Sequence, residues 1–350
     1  MQFAKRDFLI KFIAFLWLLI FGFNHSFGTE QAHYSLVFFY AGEHLPDYLS
    51  SSIAQARLFN KNCTIFFIAN KRTIESHEIM VETLRQNNVE IIDLESLEKS
   101  EAHKAFDAIY EQRQEDFSIQ SNLYWKFTTE RFFYIHELMQ KYNLQDVFQI
   151  ECDVMVYINL RDYLELLHDH YKNIACPFQN DYVASVSFIY FAHEEAIKRF
   201  VEFIPYQLRG QNIDSDMYLL AAYEQHAPDQ VDQLPTITKE LIKMVPLKSM
   251  AGDTASQPWR YWHHIEDWNS IFDNDNIGTF LEVKRWGAPR ILFNTDFYTF
   301  AWEEDQEHRW IPYVYEKATH RKCKYRINTL HVAHKGNLKK YLSIGPMPLF

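Results

Sequence analysis

Three short segments leave this chain few ways to fold. His33 to Tyr40 (HYSLVFFY), Cys63 to Ala69 (CTIFFIA) and Val89 to Ile92 are apolar almost without interruption. A strand with one wet face alternates apolar and polar residues, so an unbroken run marks a strand buried on both faces. Helical segments separate them, from about Pro46 to Phe59, with the proline suited to a first turn, and from Glu75 to Gln86. Covered strands alternating with helices specify an α/β fold, a mostly parallel central sheet with helices on both faces. No G-x-G-x-x-G follows the first strand, which disfavours an ordinary dinucleotide-binding dehydrogenase.

The alternation continues. Residues 94–120 are charged and read as an exposed helix, and Ser121 to Tyr142 as a helix whose apolar face carries Phe127, Phe132, Ile135, Leu138 and Met139. This helix delivers the chain into Asp146 to Leu160, DVFQIECDVMVYINL. Val147, Phe148 and Ile150 suit one buried strand, and Val154 to Tyr157 another. Between them stand Glu151 and Asp153. In extended chain, residues two apart face the same side, so both carboxylates can address one point. Two neighbouring anions at an apolar strand end repel one another and lose hydration, an arrangement that a bridging cation relieves. Oxygen ligands of this kind suit Mn²⁺ or Mg²⁺, ions that join carboxylates to a substrate's phosphates. The plainer alternative is a strand end with two solvated acids.

Further on, Arg161 to Tyr171 and Glu194 to Phe203 read as helices, and Asn173 to Pro177 and Val186 to Phe191 as strands. Asn212 to Tyr223 begins polar and continues as a helix, with Asp214 or Ser215 as its cap and Asp216 in its first turn. Residues 226–260 carry few strand signals and read as a long surface loop. With 47% hydrophobic and 23% charged residues the chain is globular, and its net charge of −11 opposes nonspecific nucleic-acid binding. Its four cysteines, Cys63, Cys152, Cys176 and Cys323, form no C-x-x-C pair, so neither a zinc knuckle nor a dense disulfide framework is indicated. Cys152 reads as a buried thiol.

The first 28 residues differ from the rest. Lys5, Arg6 and Lys11 precede an apolar run from Phe12 to Phe23, and small residues, Ser26 and Gly28, stand before Thr29. This is the layout of a signal peptide, with an uncleaved signal-anchor as the alternative. Either reading places the chain in the secretory pathway, exported or held to a membrane by its N-terminus. Residues 29–350 then form a single domain.

The layout resembles the GT-A-fold, metal-dependent glycosyltransferases, which move a sugar from a nucleotide-diphosphate donor to an acceptor. Phe38 to Leu49, Trp125 to Phe133, Glu151 to Tyr157 and Phe272 to Gly278 carry the likeness, which spans most of residues 34–343 and is closest to a little-described subgroup. It implies a nucleotide-sugar half at 29–160, and an acceptor half at 161–350 that ends in a metal and diphosphate segment. Hexosyltransferase-like activity on a UDP- or GDP-sugar, with Mn²⁺ or Mg²⁺ and a glycan, protein or lipid acceptor, is what the resemblance implies.

Residue by residue, it makes Asp153 the principal metal ligand, with Glu151 in support, His331 as a distant ligand and Lys335 on the diphosphate. His334 is a further metal candidate, because the subgroup's terminal H-x-H-x-K is here His331, His334 and Lys335. Tyr40, Ala41 and Gly42 would border the nucleobase, Lys126 and Arg131 the donor. Asp214 and Asp216 are candidates for an acceptor-side base if the reaction inverts configuration, and Asp273 with Gly278 would close the acceptor side. Trp259, Tyr261 and Trp262 offer rings for a sugar, though core or loop anchoring is their more ordinary use. Two rival functions use the same sequence. One is a catalytically silent sugar- or nucleotide-binding protein of this fold. The other is a metallohydrolase built on His263, His264, Glu266 and Asp267, or on His168 and His170; neighbouring histidines are expected to diverge, and no H-E-x-x-H occurs.

Overall fold

Strands covered on both faces demand two layers of helix, and the chain supplies them in order. The computed structural model describes residues 33–113, 119–210, 215–238, 258–282, 298–317, 323–332 and 335–347. The N-terminal export or anchor segment, Asp214 and His334 lie outside the described residues. The first half runs β1 (Ser35–Tyr40), α1 (Leu49–Phe59), β2 (Thr64–Ala69), α2 (Lys71–Ser76), α3 (Glu78–Gln86), β3 (Val89–Asp93), α4 (Glu101–Arg113), α5 (Ile119–Tyr142), β4 (Gln145–Ile150) and β5 (Val154–Val156). Then come α6 (Leu164–His170), β6 (Ile174–Cys176), β7 (Phe178–Asn180), β8 (Val183–Ala184), β9 (Phe188–His193), α7 (Glu194–Gly210), α8 (Asp216–His226) and β10 (Val231–Gln233). The C-terminal part holds α9 (Ile265–Trp268), β11 (Ser270–Ile271), α10 (Asn276–Glu282), β12 (Tyr298–Glu304), β13 (Trp310–Glu316), β14 (Lys324–Ile327) and β15 (Thr329–His331).

Seven strands form the central sheet in the order β10-β6-β9-β4-β1-β2-β3. All of its pairings are parallel except those of β9, which runs against both β4 and β6. Alternate residues leave opposite faces: Leu36 and Phe38 enter a core with Leu49 and Ile53 of α1 and Val81 of α3. Val37 enters the other, with Phe132, Ile135 and Leu138 of α5 and Phe200 of α7. That is why β1 reads as unbroken apolar sequence.

Two features depart from the sequence reading. Part of the expected loop at 226–260 is instead β10, the edge strand of the central sheet, followed by buried Leu234, Thr236, Ile237 and Thr238. Three residues, one of them Asp232, are too few to reveal a period. A second sheet, β11-β14-β13-β12, also escaped the sequence reading. Below it β15 pairs antiparallel with β5, tying the end of the chain to its middle. The tail is stapled further where Ser343 donates its N–H to Gln55 Oε1 (3.0 Å) and Tyr157 its hydroxyl to the Tyr341 carbonyl (2.7 Å).

Candidate active site

From β1 the chain builds outward through β2 to β3 and then returns to the other side of β1 with β4. At such a reversal the connections leave the sheet in opposite directions, and a crevice opens beyond the carboxyl ends of the two strands. Tyr40 ends β1 there and Ala41 and Gly42 follow it, and Glu151 to Asp153 follow β4. The acids do not continue the strand as expected. They sit in a tight turn closed by Val154 N–H on the Glu151 carbonyl at 3.1 Å. The turn still brings both carboxylates to one side, and Cys152 goes inward, its Sγ 3.4 Å from the Phe39 carbonyl.

The β5–β15 pairing sets His331 opposite Val154, and Val332 donates its N–H to the Asp153 carbonyl at 3.0 Å. Asp273 fixes the other side of this strand. Its Oδ2 accepts from the backbone N–H groups of His331 (3.0 Å) and Gly278 (2.9 Å), and its Oδ1 from Ile277 (2.9 Å). Asp273, expected to close the acceptor side, is therefore corrected to a structural anchor, since it is 0% exposed and both oxygens are engaged. Gly278 belongs to the same device. A β-carbon there would fall 1.6 Å from the His331 carbonyl oxygen, so only glycine lets α10 approach β15 this closely.

Three donor atoms meet as a result. His331 Nε2 lies 3.4 Å from Asp153 Oδ1 and 3.8 Å from Glu151 Oε2. The second oxygen of each acid faces a cation: Lys335 Nζ is 2.9 Å from Asp153 Oδ2, and Arg131 is 2.6 Å from Glu151 Oε1. Behind the imidazole, Asp275 Oδ1 stands 3.1 Å from Nδ1, close but off-line for a hydrogen bond, while Gln179 donates to the other oxygen of Asp275 at 2.8 Å. Burial acts against every charge here, and the partners decide the outcome. Asp153 titrates well below the usual range because His331 and Lys335 outweigh burial. Glu151 is pushed up by burial and by Asp153, against the pull of Arg131. His331 is raised because Asp275 and Asp153 together outweigh its burial.

This donor set fits a divalent cation. Two carboxylate oxygens and one imidazole nitrogen lie within 4.8 Å of one another, and a carboxylate behind the imidazole is the usual outer partner of a metal-bound histidine. The site opens into a cleft of about 520 Å³ whose walls include Tyr40, Tyr48, Tyr124, Trp125 and Phe127.

Of the expected residues, Tyr40, Ala41, Gly42, Glu151, Asp153, Arg131, Asp216, His331 and Lys335 line that cleft. Asp216 changes role. Its Oδ2 is 2.5 Å from Arg131 and its Oδ1 takes the Met217 N–H at 2.9 Å, so it orients the arginine and is not a free base. Lys126 is also corrected: it is not among the residues lining the cleft and pairs instead with Asp107 of α4 at 3.0 Å. Asp275 was missed, although it stands two residues after Asp273 in the same segment, with φ of 70° at the bend before α10. The histidines expected to diverge do not: the rings of His263 and His264 are 3.8 Å apart, because His264 is left-handed at φ 59°. His170, His264 and Asp267 form a separate surface group.

No family model matches this chain, and no curated protein does. Among solved structures, mouse xyloside xylosyltransferase 1 matches with a TM-score of 0.42 at 11% identity, over 61% of this chain and 90% of that one. The PaToxG glycosyltransferase matches at 0.38 and 13%, over 55% and 68%. A cytidylyltransferase from Leptospira borgpetersenii matches at 0.35 and 10%, over 59% and 77%. These neighbours are sugar and nucleotidyl transferases.

Proposed function

We propose that this chain is a metal-assisted glycosyltransferase that takes a sugar from a UDP- or GDP-sugar to an acceptor. The observation that carries the reading is the convergence of Asp153, Glu151 and His331, from a turn and a distant strand, at the mouth of an aromatic-walled cleft with Lys335 beside them. Those three side chains would hold Mn²⁺ or Mg²⁺, which would supply a Lewis acid for the charge that develops on a departing diphosphate. Lys335, half exposed and paired with Asp153, adds a point charge for the same oxygens. Arg131, buried between Glu151 and Asp216, holds the first acid in place. The aromatic wall beyond Tyr40 offers faces for a base or sugar ring. Export or membrane insertion through residues 1–28 belongs to the same proposal, in a compartment that supplies the donor.

The test is a panel of UDP- and GDP-sugars incubated with the chain, with and without MnCl₂. Metal-dependent binding of one donor, followed by slow release of free nucleotide, supports the reading. Equal behaviour of wild type and Asp153→Ala across the panel removes it.

A further inference from the structure

A second cleft of about 520 Å³ lies at the far end of α8 from the acids. Asp216 and Met217 at the start of α8 line the first cleft, and Glu224 and Gln225 near its end line the second. Eight residues of helix from Asp216 to Glu224 span about 12 Å. Tyr218, exposed between the two, shares a stripe of the helix with Gln225, seven residues or two turns on.

The lining of this cleft is specific in kind. Trp259 and Tyr182 stand at it, each 49% exposed, and offer two ring faces to the same space. The Trp259 ring is held edge-on by His263, with centroids 5.2 Å apart and planes at 85°. Gln233 lines the same space at 5% exposure, and neither its amide oxygen nor its amide nitrogen has a partner among the described residues. A buried, unsatisfied amide of this kind marks a missing ligand group or water. Glu224 and Arg260 neutralise each other at 2.5 Å. Burial pushes the Asp232 carboxyl up to about 6, against the pull of Arg260.

A ligand matching this lining must stack on exposed rings and both donate to and accept from one planar amide. A sugar does both, through its C–H face and its hydroxyls. A cation has no acceptor for the Gln233 NH₂, and an anion would meet Asp181 and Asp232, with Arg260 already engaged by Glu224. We infer that the second cleft is a carbohydrate-binding subsite for a neutral oligosaccharide, whose end reaches along α8 to the metal cleft as the acceptor. The acceptor role rests on the transferase reading above; the binding itself does not.

The test is calorimetry on the full chain, without metal or nucleotide, using maltotetraose, cellotetraose, chitotetraose and mannotetraose as probes. At least one is expected to bind, and Trp259→Ala and Gln233→Leu are each expected to weaken it at least tenfold. Mn²⁺-dependent nucleotide binding in the same variants should stay within twofold of wild type, which also shows that they fold. The inference is overturned if no tetrasaccharide binds, if binding survives in a Trp259→Ala/Tyr182→Ala double variant, or if choline binds in place of the sugars. Sugar binding without any donor binding would leave the subsite standing and remove the transferase reading. Donor binding without sugar binding would do the reverse.

Discussion

Asp275→Asn isolates the part of the site that does not touch the ion. Its carboxylate stands 3.1 Å behind His331 Nδ1 and also accepts from Gln179 at 2.8 Å. Burial disfavours its charge, but His331 outweighs burial and holds its carboxyl below the usual range. The amide keeps the shape and loses the charge. Its one oxygen can serve either the imidazole or Gln179, and its NH₂ must then face the other donor. Removing the outer partner of a metal-bound histidine lowers metal affinity by about 10- to 100-fold, or about 1.4–2.7 kcal/mol. Stability is expected to change much less. The lost charge-assisted contact, about 1.5–3 kcal/mol, is offset because a buried charge disappears and because Asp273, raised to about 6 by burial and by Asp275, loses its like-charged neighbour. The assay is Mn²⁺ titration by calorimetry with nucleoside diphosphate present, beside a thermal melt. A Mn²⁺ affinity within twofold of wild type would refute the reasoning, since His331 would then need no outer partner.

Other outcomes follow from the same geometry. Gly278→Ala is expected to lower stability by about 1–3 kcal/mol, the usual range for overpacking, and to lose Mn²⁺ affinity with it; a melt and titration matching wild type would contradict the 1.6 Å approach. His103 is buried between Glu130 (3.0 Å) and Glu137 (2.8 Å), which raise its pKa although burial opposes the charge. Its stabilisation is therefore full below about 6.5, the unfolded value, and is lost as pH rises through the folded value. Urea titrations between about pH 6 and 9 should show a decline in wild type that is absent in His103→Gln. The thiols of Cys152 and Cys176 are raised by burial and that of Cys63 to about 12, so at pH 8 a disulfide reagent should react with no more than Cys323 until the chain is denatured.

Much of the frame was legible because it rests on periodicity. Buried strands such as β1 and β2 have a signature that survives without tertiary knowledge, and the acids had to follow β4 once the helix before it was recognised. What was hidden depends on pairing between distant segments. Nothing local in Thr329 to His331 says that it joins Val154 to Val156, yet that register delivers the imidazole to the acids. Asp216 and Asp273 looked like chemistry because carboxylates near a loop end invite it, and only their neighbours, Arg131 and three backbone N–H groups, reveal positioning roles. Lys126 was misassigned for a related reason: the apolar stripe of α5 does not say which of its flanks meets the cleft and which meets Asp107.

The central claim is that one divalent ion sits among Asp153, Glu151 and His331. Pulsed electron paramagnetic resonance of the chain loaded with Mn²⁺ and nucleoside diphosphate addresses it directly. One imidazole nitrogen coupled to the metal is expected, together with phosphorus coupling, the nitrogen signal vanishing in His331→Ala and metal binding vanishing in Asp153→Ala. Bound Mn²⁺ without nitrogen coupling, or a nitrogen signal that persists in His331→Ala, would contradict the account.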